Sequence, residues 1–349
     1  MFSSIEQLRT YMLVTDEEER IVDEVGRVYP WRITDYYASL IDPDDSDCPI
    51  KMQSVPSVHE LEEDFGEDDP LDEDLNSPVP GVIRVYPDRV AVVVTNRCPM
   101  YCRHCLRKRL NRGVSEDLTG ERRRKVVEYI RNDSTIRDVL LTGGDPLMLT
   151  DEYLDDFLNE LRGIGHVEII RIGSRVPVTW PERITGKLLT ILKRHQPLWF
   201  STQFNHPREI TDRSTEAISG LVDSGIPVNN QSVLLMGVND SPEIMLELVR
   251  KLVGMRVRPY YLYQAQTLRG TGHFVTTIEK GRRIIESLRG WTTGFAVPHY
   301  VLDTPGGKVP LDPEFFVGRD GDYVVVRTYR GNEWREFNPL TVDRALDRE

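Results

Sequence analysis

A chain of 349 residues with 39% hydrophobic and 29% charged content has the proportions of a folded globular protein, not of a disordered or fibrous one, and is long enough to bury one large core with extensions. A formal net charge of −12 argues against a general nucleic-acid binder. No apolar run approaches a membrane span, and the start "MFSSIEQLRTYMLVTDEEER" lacks the order of a secretory signal, so a cytoplasmic protein with no membrane and no nucleic-acid partner is expected.

Residues 1–80 read as an N-terminal helical extension. Amphipathic "SSIEQLRTYM" and "TDEEERIVDEVGRVYP" predict helices, and "ELEEDFGEDDPLDEDLNSPVPG" is an acidic, proline-bearing linker expected to be solvated. Cys48, alone in "IDPDDSDCPI", reads as an incidental thiol. Over residues 81–310, short β-branched runs alternate with helical stretches. The runs are "RVAVVVT", "IRDVLLT", "VEIIRIGS", "LWFSTQF", "PVNNQSVLL", "RVRPYYLYQ" and "GFAVPHYVLD"; between them lie stretches such as "RRRKVVEYIRND" and "DEYLDDFLNELRG". That alternation predicts an α/β fold with a parallel sheet and helical crossovers. A full or partial β/α barrel is the preferred form, with a doubly wound open sheet as the alternative. Polar residues recur where successive strands end, as barrel active sites require. In the tail, residues 311–349, "YVVVRTYRGNEWREF" predicts a β-hairpin about "RGN".

Three of the four cysteines fall in "TNRCPMYCRHCLRKR": Cys98, Cys102 and Cys105, spaced C-x3-C-x2-C. A reducing cytosol argues against disulfides, and the spacing is not the paired C-x2-C of a zinc ribbon; a zinc knuckle using His104 is the alternative. Iron–sulfur clusters ordinarily take four thiolates. Three would leave one iron open to a substrate or cofactor. The adjacent arginines form a candidate basic pocket.

The spacing resembles the radical S-adenosylmethionine superfamily. "SPVPGVIRVYPDRV", "MYCRHC", "VLLTGGDPL", "RIGSRVPV", "FNHPREIT", "NQSVLL", "GVND", "LRGWTTGFAVP" and "DTPGGK" further resemble the lysine 2,3-aminomutase family over roughly residues 70–340. The resemblance implies a partial (β/α)6-type barrel. It implies a [4Fe–4S] cluster on the three cysteines, with S-adenosylmethionine chelating the open iron and contacted by His104, Gly143, Gly144, Asp145, Ser174, Arg175, Asn205 and Gln231. It makes Lys308 the pyridoxal 5′-phosphate lysine, with Arg89, Tyr86 and Tyr263 around that cofactor. It pairs Arg107 with the carboxylate of an amino-acid substrate.

Several positions depart from the family pattern. Where the lysine enzyme has two aspartates for the distal ammonium, this chain has Asp303 and Gln266, a pair that suits lysine or another cationic amino acid such as arginine. Gln203 replaces a histidine, Val85 an arginine (Arg84 is offset by one), and the glycine run before Lys308 is shortened. Ser241 replaces a zinc-ligating cysteine and the terminal cysteine cluster is missing, so no zinc is expected. The expected activity is amino-acid 2,3-aminomutase, with an electron donor such as flavodoxin or ferredoxin and a possible homodimer. The alternatives are a glutamate 2,3-aminomutase, an aminomutase acting on a lysine of a translation factor, and a non-enzymatic metal-binding module.

Overall fold

The computed structural model describes residues 1–62 and 66–338. Nine strands form one sheet in strict sequence order: β1 Val82–Ile83, β2 Arg89–Thr95, β3 Asp138–Gly143, β4 Ile169–Gly173, β5 Leu198–Thr202, β6 Val228–Leu234, β7 Arg258–Gln264, β8 His299–Thr304 and β9 Gly307–Pro310. Strands β2 to β8 are all parallel, while β1 and β9 pair antiparallel at the two edges. The helices Gly120–Asn132, Asp151–Arg162, Gly186–Arg194, Asp212–Asp223, Pro242–Gly254 and Ile278–Leu288 connect them.

This order decides between the two expected architectures. A doubly wound sheet reverses direction once, whereas here every crossover steps the same way. Right-handed crossovers then place all six helices on one face. The other face curls inward as a partial barrel, with β1 and β9 left unpaired to each other. Six βα units followed by β8 give the (β/α)6-type core with one further parallel strand.

Period-2 alternation sorts the strand residues. Val90, Val92, Val139, Leu141, Ile170 and Ile172 are buried against the helices. Ala91, Leu140, Thr142, Arg171, Ser201 and Gln231 face the concave side. In the tail the expected hairpin pairs β11 Tyr323–Arg327 with β12 Glu333–Phe337, and a third strand, β10 Phe316–Asp320, joins it. Among the described residues no helix is long and apolar enough to cross a membrane.

The acidic stretch is not the solvated connector that its composition predicts. It lies along the basic cysteine loop and pairs with it at several points. Glu60, fully buried, accepts from Arg103 at 2.9 Å and from Lys108 at 2.6 Å. Glu73 binds Arg107 at 2.6 Å, Asp69 and Asp74 bind Arg109 at 3.0 and 3.1 Å, and Asp68 approaches Arg112 at 3.8 Å. Burial outweighs the attraction of Glu60 and lowers the Lys108 ammonium to a pKa of about 8. Glu67 bridges Leu268, which fixes the stretch to the loop after β7.

The buried and exposed members of this interface differ in weight. Glu60→Gln leaves Arg103 and Lys108 as buried cations without a counter-charge, and the expected loss is about 3–5 kcal/mol of stability. Asp68→Asn at the exposed rim is expected to cost less than about 1 kcal/mol. Urea denaturation midpoints of the two variants check the contrast.

Candidate active site

One cavity of about 710 Å³ opens on the concave face at the C-terminal ends of the strands. Its lining brings together Cys98, Cys102, Cys105, His104, Arg107, Gly143, Gly144, Asp145, Ser174, Gln231, Tyr86, Arg89, Tyr263, Gln266, Asp303 and Lys308. Of the expected site residues, only Asn205 lies behind the wall, fully buried.

The three cysteines sit on the loop after β2. Burial and the neighbouring Asp145 and Cys105 raise the Cys98 thiol well above its ordinary pKa, and burial beside Cys102 raises Cys105 to about 11. Among the described residues no three His, Cys, Asp or Glu side chains converge on a single-ion site. Three thiols that line one cavity suit the corners of a cluster.

The loop is held in place by the glycine pair after β3. A Cβ at Gly143, whose φ is +134°, would lie 2.2 Å from the Thr95 carbonyl oxygen, and one at Gly144 would lie 2.3 Å from that of Arg97. The N–H groups of Gly144 and Asp145 donate to those same carbonyls at 2.6 and 2.7 Å. Both N–H donors are thus consumed within the protein. The Asp145 carboxylate braces the next loop, accepting from Ser174 Oγ at 2.7 Å and from the Arg175 N–H at 2.9 Å. Burial raises it to a pKa of about 6 against these hydrogen bonds.

His104 has a defined tautomer. Asn205 Oδ1 accepts the Val233 N–H at 2.9 Å, so its Nδ2 is the atom 3.3 Å from His104 Nε2; the Gln203 amide donates to the same nitrogen at 3.1 Å. Nε2 is therefore an acceptor and the proton lies on Nδ1. Burial and the charges of Arg175 and Lys108 push its pKa far down. Nδ1, the neutral donor, is buried with no protein partner. Asn205 thus acts through His104 from behind the wall, and Gln203 binds the same nitrogen from the cavity lining.

At the other end of the cavity, β8 and β9 form a hairpin in which Asp303 and Lys308 are direct cross-strand partners. Lys308 Nζ lies 3.3 Å from both Asp303 carboxylate oxygens, and its N–H donates to Tyr86 Oη at 2.8 Å. Gly307, at φ +114°, is pressed so close to the Tyr86 ring that a Cβ would meet Oη at 2.9 Å. The shortened glycine run therefore makes a tight hairpin that still delivers Lys308 to the cavity. The Arg89 guanidinium lies 3.7 Å over Tyr86, and the Lys308 ammonium 5.6 Å over Tyr263. Gln266 Nε2 donates to the Asp303 carbonyl at 2.7 Å. Arg84 turns away to Asp133 and Tyr129, and Val85 lines the cavity.

Two carboxylates escaped the sequence reading. Glu73 takes the Nε and Nη2 side of Arg107, while Thr142 Oγ1 accepts from Nη1 at 3.2 Å. Glu209, fully buried, holds Arg175, which borders the cavity and donates to Cys102 Sγ. A run of acids and a lone glutamate after "NHP" carry no local signal for either contact.

The sheet and the loop after its first parallel strand are those of a radical S-adenosylmethionine enzyme: residues 92–249 match the family model for the radical SAM superfamily. A [4Fe–4S] cluster and S-adenosylmethionine go with that superfamily. Residues 285–339 match the model described as lysine-2,3-aminomutase. The chain is 48% identical over 331 residues to L-lysine 2,3-aminomutase of Clostridium subterminale, covering 94% of this chain and 80% of the relative. It is 51% identical over 333 residues to that of Methanococcus maripaludis, covering 94% and 77%. It is also 42% identical over 344 residues to glutamate 2,3-aminomutase of Clostridioides difficile, covering 98% and 81%. The chain belongs to the lysine 2,3-aminomutase family and is an isomerase.

Gly144→Ala drives a methyl group into the Arg97 carbonyl and must separate the cysteine loop from β3. Overpacking of this kind costs about 1–3 kcal/mol; taken as lost binding energy, that makes S-adenosylmethionine bind ~5- to 150-fold more weakly. Equilibrium dialysis of reconstituted protein against labelled cofactor checks this.

Proposed function

We propose that this chain is a 2,3-aminomutase for a cationic α-amino acid, lysine or arginine. In this reading Cys98, Cys102 and Cys105 hold the cluster, S-adenosylmethionine occupies its open iron, and Lys308 carries pyridoxal phosphate. The observation that carries the substrate assignment is that Arg107, Asp303, Gln266 and Lys308 line one cavity with the three cysteines, with Lys308 held by the Asp303 carboxylate and Gln266 bonded to the Asp303 carbonyl.

The bound cofactors would supply a carbon radical that takes hydrogen from C3 and a π-system that carries the nitrogen from C2 to C3. The chain's own residues do the positioning. Arg107 offers the end of its guanidinium fork to the substrate carboxylate, because Glu73 already occupies the side of that fork. Asp303 and Gln266 receive the cationic side chain. Lys308, whose ammonium Asp303 holds, exchanges its place with the substrate amine. Tyr86 and Arg89 supply the hydroxyl and cation that a phosphate group needs. His104 Nδ1–H serves as a neutral donor toward the adenosyl end.

A glutamate substrate would set a second carboxylate against Asp303, a like-charge contact that disfavours it. A metal-binding module without catalysis gives no role to the Lys308–Asp303 hairpin. The reaction needs a low-potential donor such as flavodoxin or ferredoxin, in a cytoplasmic setting, with a homodimer as a compatible assembly.

The test is anaerobic reconstitution with iron, sulfide, pyridoxal phosphate, S-adenosylmethionine and dithionite, followed by chromatography–mass spectrometry. The expected product is a β-isomer of lysine or arginine with unchanged mass; turnover of glutamate alone would overturn the substrate assignment. Replacing any one of the three cysteines by alanine is expected to abolish turnover. Asp303→Asn is expected to lower kcat/KM for the cationic substrate ~10- to 100-fold, the loss of about 1.5–3 kcal/mol for a hydrogen bond to a charged group.

A further inference from the structure

The resemblance sets Arg175 among the S-adenosylmethionine contacts, but the proposed function gives it no role. It follows β4, is only 8% exposed, and directs its donors into the protein. Nε donates to the Gln203 carbonyl at 3.0 Å, Nη2 to Glu209 Oε1 at 2.6 Å and Gln53 Oε1 at 2.7 Å, and Nη1 to Cys102 Sγ at 2.8 Å. Its counter-charge, Glu209, is itself fully buried and accepts from the Tyr37 hydroxyl at 2.6 Å and the His206 N–H at 3.0 Å. Tyr37 and Gln53 come from the N-terminal extension, so the pair ties that extension to the barrel.

A tie alone explains the fork to Glu209 and Gln53. It does not require a guanidinium N–H on a cysteine sulfur. A hydrogen bond from a fixed cation to a ligand sulfur stabilises the more negative, reduced form of an iron–sulfur cluster and so raises its reduction potential. The compensating carboxylate binds the other terminal nitrogen, Nη2, whereas Nη1 touches the sulfur directly, so the cation is the nearer charge. Low local dielectric keeps both contributions strong.

We propose that Arg175, balanced by Glu209, is a positioning residue that orients Cys102 and sets the reduction potential of the cluster the three cysteines hold. The assignment rests on the proposed reading of those cysteines. It makes the N-terminal extension part of the redox centre, because Tyr37 and Gln53 fix the orientation of the pair.

The experiment is an EPR-monitored dithionite titration of the reconstituted cluster, without substrate turnover, in wild type, Glu209→Gln, and the double variant Arg175→Met with Glu209→Gln. Removing the carboxylate alone leaves the cation uncompensated, and the midpoint potential is expected to rise. Removing both charges deletes the nearer one, and the potential is expected to fall below wild type. The double variant buries no lone charge and is therefore chosen over Arg175→Met alone; if it takes up no cluster, the rise or its absence in Glu209→Gln decides. Opposite shifts support the proposal, whereas a wild-type cluster whose potential neither variant moves, or both move the same way, overturns it. Wild-type protein that takes up no cluster overturns instead the reading of the cysteines on which the proposal stands.

Discussion

The site depends on neutralising a loop that carries five cations within ten residues of sequence. Arg103, Arg107, Lys108, Arg109 and Arg112 surround the last cysteine, and alone they would repel one another and resist burial. The acidic stretch that precedes the barrel supplies the counter-charges, with Glu60 and Glu73 at the buried end and Asp68, Asp69 and Asp74 toward solvent. Burial is what makes this pairing matter. The exposed members are screened by water and salt, whereas Glu60, with both its cations out of water, fixes where the loop runs.

From that fixed loop the remaining geometry follows. A parallel sheet wound in one direction leaves its concave face free of helices, so small and polar residues at strand ends can converge there without competing for core space. The glycine pair after β3 seats against the loop backbone, Asp145 carries the same brace to the end of β4, and Arg175 returns from there to Cys102. At the far wall the β8–β9 hairpin places a cation and an anion directly opposite one another. The cavity therefore has a sulfur-lined end and an end that carries the Lys308–Asp303 pair, with Arg107 also in its lining.

Much of this was legible from residue order. The strand "RVAVVVT" matches β2 residue for residue, and the six crossover helices fall where their apolar periodicity puts them, because both patterns are local. The cysteine spacing, the Gly–Gly–Asp segment and Lys308 were likewise readable, since each lies in a short motif whose chemistry depends on its immediate neighbours. The tail was read one strand short: β10 carries glycine and charges and has no alternating signal of its own, and it becomes a strand by pairing with β11.

The sequence by itself determined the class of chemistry, the alternation that makes a parallel sheet, and which side chains were available to a site, because these are properties of spacing along the chain. Tertiary structure alone decided which charges are partners. A run of acids looks the same whether it is solvated or docked, and only folding places Glu60 beside Arg103 and Lys108, Glu73 beside Arg107, and Glu209 behind Arg175. The physical reason is range: hydrophobic periodicity acts over one helical turn or one strand, whereas an ion pair's strength is set by the burial that distant segments impose on it.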